Sequence, residues 1–498
     1  MRIQINWRSL SNDLSRFLLI PAGMALCSLP IALLSQEFFV VLPLTITCAI
    51  AAALSLILNH LGQTAKESPL YQILITVALG WALIAIMGAL PLWLTALRLT
   101  NEATPTIEYF RNGLNALFEG FSGFTSAGLT MAVQPSQLPH TLQWWRSFMQ
   151  WVGGVGVIVL ALAVIEPTQS QYRLYQAEGR QTRLRLTMTR TVRRIWKIYI
   201  GFTIASMVLF RVCGMPWWEA INHGLTAIAT GGFSITDGSM SSYSPLIKLA
   251  IMVVMVMGAI SFSLHDRLLT TRRLNALLHN RQHFLLIVLL VIGTVIVTVD
   301  YFTFTQQWAV VDGAFQWFSA LTTCGFSTQS IFFWSSSNKI ILSLGMIVGG
   351  AAGSTVGGLK LNRVLALCEA IAWRFRRPTI KSHQVVMRFI NRQPLTSSQA
   401  SRQIESATAL TLLWLATIVV SILILMRFVP AEYGLSDVLF EVSSALGAAG
   451  LSVGITGPSL HWAGKTILIL LMWMGRLEIF PVLLMFVLPL NQLLTSRK

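Results

Sequence analysis

Apolar residues occur along the chain in runs long enough to cross a membrane as helices, and polar residues fall between these runs. A helix needs about 20 apolar residues to span a hydrocarbon core of roughly 30 Å. We predict ten such spans, at residues 17–34, 38–61, 71–97, 142–165, 198–212, 246–264, 284–302, 340–372, 407–428 and 462–490. The pattern therefore predicts an all-α polytopic membrane protein.

A nine-residue pattern recurs four times, each time between two of the long apolar runs. Every copy begins and ends with a hydroxyl residue and carries glycine at its seventh position. The copies are residues 122–130, 226–234, 319–327 and 444–452, which align Gly128, Gly232, Gly325 and Gly450. The first two apolar runs contain no copy.

The repeat divides the chain into an N-terminal transmembrane hairpin and four pore units. The predicted boundaries are 1–66 for the hairpin and 67–168, 169–266, 267–378 and 379–498 for the units. Each unit is expected to consist of a helix, a short pore helix, a filter loop and a second helix. Four such units can surround one axis with pseudo-fourfold symmetry, so we expect one central pore per chain.

A short helix is predicted directly before each loop, over residues 115–124 in the first unit. Thirteen residues before the aligned glycines stand Asn115, Glu219, Asp312 and Asp437, which favour a helix N-cap or first turn. Nine residues before them stand Glu119, His223, Gln316 and Glu441, which we expect to brace the loops. The negative end of each helix dipole would point to the start of its loop.

The loops are predicted to bind a dehydrated cation through backbone carbonyls, because their side chains are too small and uncharged to do so. Glycine permits the positive φ that such a loop needs. The alternative is close helix packing through small residues. Irregular backbone at membrane depth must avoid lipid, so the loops should face the common axis. The candidate filter residues are Thr125, Ser126, Ala127, Gly128, Ala229, Thr230, Gly231, Gly232, Thr322, Thr323, Cys324, Gly325, Gly447, Ala448, Ala449 and Gly450.

A glycine cluster and an intramembrane arginine add candidates for a gate. The cluster should break the span at 340–372, since each glycine costs a helix about 1 kcal/mol. It is predicted as a flexible loop below the filter, although a packing seam is the alternative. Arg476 is expected to face the pore rather than to snorkel to an interface. The gate candidates are Gly349, Gly350, Gly353, Ser354, Thr355, Gly357, Gly358 and Arg476.

Charge fixes the expected orientation. The 36 Lys and Arg residues exceed the 19 Asp and Glu residues, giving a net charge of +17. The excess lies in connectors at 166–197, 267–281 and 374–392, which is typical of cytoplasmic loops rather than of nucleic-acid binding. Both termini are therefore expected in the cytoplasm, with the filter loops entering from outside. The basic connectors could contact lipid headgroups or an acidic partner.

Several longer motifs resemble the Trk/Ktr/HKT superfamily of potassium transporters, specifically its bacterial Trk membrane subunit. They are the filter loops, W-V-G-G-V-G-V-I-V-L-A at 151–161, L-Y-Q-A-E-G at 174–179, G-G-A-A-G-S-T-V-G-G-L-K at 349–360 and G-R-L-E-I-F at 475–480. The resemblance covers nearly the whole chain. It implies potassium uptake across the inner membrane, a homodimer, and a cytosolic nucleotide-binding (RCK-type) regulatory subunit.

By the same resemblance, potassium is the transported ion, without a covalently bound cofactor. The implied potassium contacts are Thr125, Ser126, Ala229, Thr230, Thr322, Thr323, Gly447 and Ala448. Residues 349–358 match the intramembrane gating loop of the family, and Arg476 matches its pore arginine.

Other functions remain open at the level of sequence. The first and fourth loops, T-S-A-G-L and G-A-A-G-L, depart from the Trk pattern, which leaves a less selective potassium and sodium pathway as an alternative. A symporter coupled to protons or sodium is another. An enzyme would need convergent acid, base or metal-ligand groups. The sequence contains no phosphate-binding G-x-x-x-x-G-K-[S/T] motif and no HExxH or paired-cysteine motif, so we expect no enzymatic activity.

Overall fold

The computed structural model describes residues 6–62, 69–99, 104–156, 188–273, 275–376, 388–390, 393–395 and 397–495. The predicted all-α class is confirmed, and one short antiparallel hairpin is added, β1 (Arg388–Ile390) and β2 (Gln393–Leu395). Most of the basic connector at 166–197 and the motif at 174–179 lie outside the described residues, as do 377–387 and 496–498.

The N-terminal hairpin consists of α1 (Trp7–Leu34) and α2 (Phe38–Gly62). The Asn6 side chain caps α1 by accepting hydrogen bonds from the backbone of Arg8 and Ser9. At the tip, Glu37 accepts from His140 N at 2.7 Å and Thr141 N at 2.8 Å. These two N–H groups begin the helix of unit 1 that follows its filter loop, so the hairpin is attached there.

The four predicted units each contain a long helix, a short helix and a further helix or pair of helices. Unit 1 has α3 (Leu70–Arg98), α4 (Pro105–Tyr109), α5 (Gly113–Thr125) and α6 (His140–Val155). Unit 2 has α7 (Met188–Val212), α8 (Trp217–Ile228), α9 (Pro245–Ala259) and α10 (Phe262–Thr271).

Unit 3 has α11 (Asn275–His279), α12 (Arg281–Thr305), α13 (Val310–Leu321), α14 (Ser336–Val348) and α15 (Leu361–Arg376). Unit 4 has α16 (Ser397–Leu425), α17 (Leu435–Gly447), α18 (Trp462–Arg476) and α19 (Phe480–Thr495). We call α5, α8, α13 and α17 the pore helices. Short 3₁₀ turns follow two loops, at Pro135–Gln137 and Ile331–Phe333.

In the described part of the chain, six helices are long and apolar enough to cross a membrane. Two bent pairs, α9 with α10 and α18 with α19, raise the number to eight if each pair is one span. Of the ten predicted spans, the one at 142–165 is described only to Gly156. The one at 340–372 is divided by nonhelical backbone at 349–360, where the glycine cluster predicts a break.

Two spans predicted as continuous, 246–264 and 462–490, are instead broken. The axis turns by 102° between α9 and α10 and by 117° between α18 and α19. At the first break, Ala351 N donates to Ala259 O at 3.1 Å and Phe262 N donates to Gly353 O at 3.0 Å. The glycine-rich stretch therefore hydrogen-bonds backbone groups that the broken helix leaves free.

The second break, between α18 and α19, is caused by backbone conformation and by an ion pair. Glu478 and Ile479 adopt left-handed φ values of 60° and 66°, which a right-handed helix does not allow. The Glu478 carboxylate pairs with Arg363 and, at 3.4 Å, with Lys360. These cations come from unit 3, so a contact distant in sequence fixes the end of α18.

The pore helices are buried and the long helices around them expose apolar side chains. Phe118, Phe315 and Phe440, one on each of three pore helices, are fully buried. Val291 on α12 and Leu423 on α16 are 61% and 68% exposed. A lipid bilayer requires this arrangement, with apolar side chains on the outer surface and polar groups kept in the interior.

Candidate functional site

The four pore helices begin in the same register. Their N-caps are Asn112, Pro216, Ala309 and Gly434. Asn115, Glu219, Asp312 and Asp437 were predicted as caps or first-turn residues, and they lie three residues after each N-cap. The capping role is therefore wrong and the first-turn placement is correct. At this position a polar side chain can reach back to the N-cap, as Asp437 does to Gly434 N at 2.9 Å.

The pore helices also end in the same way. In each, the second residue before the aligned glycine is left-handed, with φ of 55° at Ser126, 50° at Thr230, 46° at Thr323 and 51° at Ala448. The next N–H bonds the carbonyl five residues earlier, as Ala127 does to Ser122 at 3.0 Å. This is a Schellman helix end built without glycine. Positive φ was predicted for the aligned glycines alone and not for this second position.

The aligned glycines meet their neighbours in a closed cycle. All four have positive φ, between 77° at Gly232 and 91° at Gly325. A Cβ built on each glycine would collide with a carbonyl of the next loop. The colliding pairs are Gly128 with Gly231 O, Gly232 with Cys324 O, Gly325 with Ala449 O and Gly450 with Ala127 O.

The colliding carbonyl always belongs to the residue before the next aligned glycine. The order runs from unit 1 to 2, 3, 4 and back to 1, so the four loops form one ring with fourfold pseudosymmetry. The candidate filter residues thus belong to four equivalent turns around a common centre. Backbone oxygens in such a ring are the groups that can replace the water shell of a cation.

Side chains predicted as braces tie the loops to the pore helices. Glu119 accepts from the Thr130 hydroxyl and from Met131 N, both at 2.8 Å. Glu441 accepts from Ser452 Oγ at 2.8 Å, and His223 Nε2 lies 3.1 Å from Ser234 Oγ. In three units the brace therefore contacts the last hydroxyl of the repeat. The fourth, Gln316, donates instead to Gln329 O at 3.4 Å.

Two side chains of α6 that were not predicted as site residues join units 1 and 2 beside the filter. Arg146 Nε bonds Glu119 at 2.7 Å, while its Nη1 donates to Ser234 O at 3.1 Å. Gln150 donates to Gly231 O at 2.5 Å and accepts from Phe233 N at 2.9 Å. Arg146 and Gln150 are four residues apart and so share one face of a largely apolar helix. Such a polar pair is the sequence signal that could have identified them.

The glycine-rich stretch at 349–360 hydrogen-bonds two filter loops and also lies against the fourth, where a Cβ built on Gly357 would collide with Gly447 O. Thr230 Oγ1 donates to Thr355 Oγ1 at 3.1 Å, and Gly357 N donates to Thr323 Oγ1 at 2.9 Å. Thr355 Oγ1 also lies 3.0 Å from Gly258 O. Any displacement of this stretch must break hydrogen bonds to loops 2 and 3.

Arg476 holds the same stretch from below. Its guanidinium donates to Thr355 O at 3.2 Å, to Gly154 O at 3.1 Å and to Gly153 O. It also stacks over Trp81, 5.4 Å from the ring centre. The space that it shares with Gly353, Ser354 and Gly357 has a volume of about 20 Å³. That is room for about one water molecule, too little for a hydrated cation.

Comparison with known proteins shows the family. The TrkH family, described as cation transport proteins, matches residues 43–496. The chain belongs to the TrkH family. The predicted resemblance is confirmed, and the chain is a multi-pass membrane transporter rather than an enzyme.

Relatives of this TrkH family member span most of its length. An uncharacterized cation transporter of Methanocaldococcus jannaschii is 31% identical over 423 residues, covering 84% of this chain and 83% of the relative. The Trk system potassium uptake protein TrkH of Halomonas elongata is 30% identical over 420 residues, covering 82% and 83%. The crystal structure of the potassium transporter TrkH from Vibrio parahaemolyticus has a TM-score of 0.80 at 24% identity and covers 96% of this chain and 98% of its own. This likeness shows the shared fold.

The buried ion pair beside the first loop gives a stability prediction for this TrkH family member. The Arg146 and Glu119 side chains are 1% and 0% exposed. Removing one partner of a buried pair leaves an uncompensated charge and costs about 3–5 kcal/mol. We expect Glu119→Gln to lower the melting temperature of the detergent-solubilised protein, whereas Glu432→Gln, at an exposed loop, should leave it unchanged. Equal melting temperatures for the two variants would contradict this account of the pair.

Proposed function

We propose that the chain mediates potassium uptake across the bacterial inner membrane through the ring of four loops. The observation that carries the proposal is the closed cycle of glycines and carbonyls, in which each aligned glycine faces the carbonyl before the next one. Equivalent oxygens around one centre offer a cation an even coordination shell. The predicted filter residues, Thr125 to Gly128 and their equivalents in the other loops, would supply these oxygens.

Several observations support the potassium assignment. The Halomonas elongata and Vibrio parahaemolyticus relatives are potassium transporters by name. All four aligned positions in this chain are glycine with positive φ. The inward-negative potential supplies about 2.3 kcal/mol per charge per 100 mV, enough to drive uptake. The driving force requires the orientation that the basic connectors favour, with both termini in the cytoplasm.

The proposal is tested by flux through purified protein in liposomes. We expect potassium to exceed sodium flux, and potassium flux to reverse when the potassium gradient alone is reversed. Flux that follows a proton or sodium gradient instead would favour the coupled symporter. Equal potassium and sodium flux would favour the less selective pathway, and absence of flux would overturn the proposal.

We propose further that residues 349–358 form a gate below the filter, held by Arg476. The stretch occupies the space under loops 2 and 3, and the remaining cavity beside Arg476 is smaller than a hydrated cation. Opening would require the hydrogen bonds of Thr355 and Gly357 to break. A homodimer and a cytosolic nucleotide-binding partner, both implied by the resemblance, are proposed as the assembly in which this gate is controlled.

Deleting residues 349–358 is expected to raise potassium flux in liposomes. The ends of the stretch are already adjacent, since Leu359 N donates to Ile347 O at 2.8 Å and Lys360 N donates to Val348 O at 3.0 Å. Joining Val348 to Leu359 is therefore geometrically feasible, because consecutive Cα atoms need only about 3.8 Å. Unchanged or reduced flux from a folded deletion variant would argue against a gate at this place.

A further inference from the structure

Away from the filter, the outer ends of the units are joined by lysines at one repeated position. The fourth residues of α6, α9, α14 and α18 are Gln143, Lys248, Lys339 and Lys465. Each lysine reaches the third residue of the pore helix in the next unit. The ammonium lies 2.9 Å from Asp312 Oδ1 for Lys248, 2.6 Å from Asp437 Oδ1 for Lys339 and 2.7 Å from Asn115 Oδ1 for Lys465. We call these three contacts the lysine clasps.

The clasps follow the same cyclic order as the glycine ring. They connect unit 2 to 3, unit 3 to 4 and unit 4 to 1. Two of the lysines also donate to the carbonyl seven residues before them, Lys339 to Phe332 O at 2.8 Å and Lys465 to Pro458 O at 2.7 Å. The same geometry thus recurs at different junctions, which a chance surface pair would not produce.

The junction between units 1 and 2 is built differently. Gln143 accepts from Trp218 Nε1 at 2.7 Å, and Glu219 accepts from the Tyr243 hydroxyl of its own unit at 2.6 Å. This junction is also held beside the filter, where Arg146 and Gln150 bond the second loop. Every junction therefore has a polar connection at the outer end of the pore helix, through a lysine in three cases and through Gln143 and Trp218 in the fourth.

Burial indicates that the clasps are more than surface ion pairs. The side chains of Lys339 and Asp437 are 7% and 8% exposed, and Lys465 and Asn115 are buried. Burying an ammonium costs several kcal/mol, which a partner only partly offsets. Two apolar residues could fill the same space with less penalty. A buried pair retained at such a cost is often one that fixes a single arrangement of the elements it joins.

We propose that the lysine clasps are positioning elements for cation selectivity. A pore helix of 13 residues such as α17 is about 20 Å long, so a tilt at its outer end moves the filter loop at its inner end. A small displacement of one loop would change the size of the carbonyl ring on which potassium over sodium preference depends. The lysines bond the outer turns of the pore helices, so they act through helix position. This inference rests on the proposed function.

The test uses Lys248→Met and Lys339→Met, with Lys197→Met as the matched control on an exposed part of α7. The readout is the ratio of potassium to sodium flux in liposomes, together with the melting temperature. We expect each clasp variant to lower the ratio by about tenfold, which corresponds to about 1.4 kcal/mol, and Lys339→Arg to retain it. The control should keep the wild-type ratio.

The outcomes separate the inference from the proposed function and from a purely structural role. A wild-type protein without potassium preference overturns the proposed function. A selective wild type whose clasp variants keep the ratio but melt earlier overturns the inference, since the clasps would then serve stability alone. Lys248 and Asp312 are more exposed than the Lys339 pair, at 12% and 23%, so Lys248→Met remains informative if Lys339→Met fails to fold.

Discussion

Replacing Gly232 with serine is expected to lower the ratio of potassium to sodium flux by about tenfold or more, the largest loss of selectivity among the single substitutions considered. Two physical effects act together. The residue has φ of 77°, which costs an L-residue roughly 1–2 kcal/mol. A Cβ would also lie 2.8 Å from the Gly325 Cα and carbonyl carbon, in rigid backbone of the next loop. The ring must therefore open or distort.

The matched control is Gly201→Ser on α7. A Cβ built on Gly201 meets no atom within 4 Å, and the residue is exposed on the outside of the helix. Both variants add the same side chain to an apolar protein, so a general effect of serine would change the ratio of potassium to sodium flux equally in both. The measurement is paired potassium and sodium flux in liposomes. An unchanged ratio in Gly232→Ser would refute the assignment of these loops as the filter.

Much of this architecture could be predicted from sequence because the fold is repeated. Four copies of one pattern, each between apolar runs, indicate four units without any knowledge of contacts. The pore helix of the first unit was expected at 115–124 and observed at Gly113–Thr125. Glycine at each aligned position predicted positive φ, and the structure has it at all four.

The parts that escaped prediction depend on contacts between units. Hydropathy does not register the break between α18 and α19, because Glu478 is fixed by Lys360 and Arg363 of another unit. The turn between α9 and α10 likewise depends on hydrogen bonds from residues 351–353. Left-handed Ser126 and Thr230 carry no local signal, since neither residue type requires positive φ.

Two buried lysines at the outer ends of helices were not singled out from sequence. Lys339 and Lys465 fall in the first turns of apolar helices, and no role was predicted for them. In the structure they are buried and reach the next unit. Lys248, Lys339 and Lys465 stand 16, 14 and 15 residues after the aligned glycines (248−232, 339−325 and 465−450), so a position-by-position alignment does not bring them together. Only the structure shows that each is the fourth residue of its helix and which residue it meets.

Replacing Arg476 with alanine is expected to raise potassium flux severalfold. The guanidinium joins three carbonyls, Thr355 O in the proposed gate and Gly153 O and Gly154 O at the end of α6. Charge-assisted hydrogen bonds of this kind contribute about 1.5–3 kcal/mol each. Their loss would free the stretch at 349–358 from unit 1, and the positive charge that opposes a passing cation would disappear as well.

The charge and the hydrogen bonds of Arg476 can be separated with Arg476→Lys. Lysine keeps the positive charge but lacks the planar fork that reaches separate carbonyls at once. If the guanidinium acts as a clamp, Arg476→Lys should conduct nearly as well as Arg476→Ala. If it acts as an electrostatic barrier, Arg476→Lys should resemble the wild type. Potassium flux measured at equal protein density decides between them, and wild-type flux in both variants would exclude a role for Arg476 in closing the pathway.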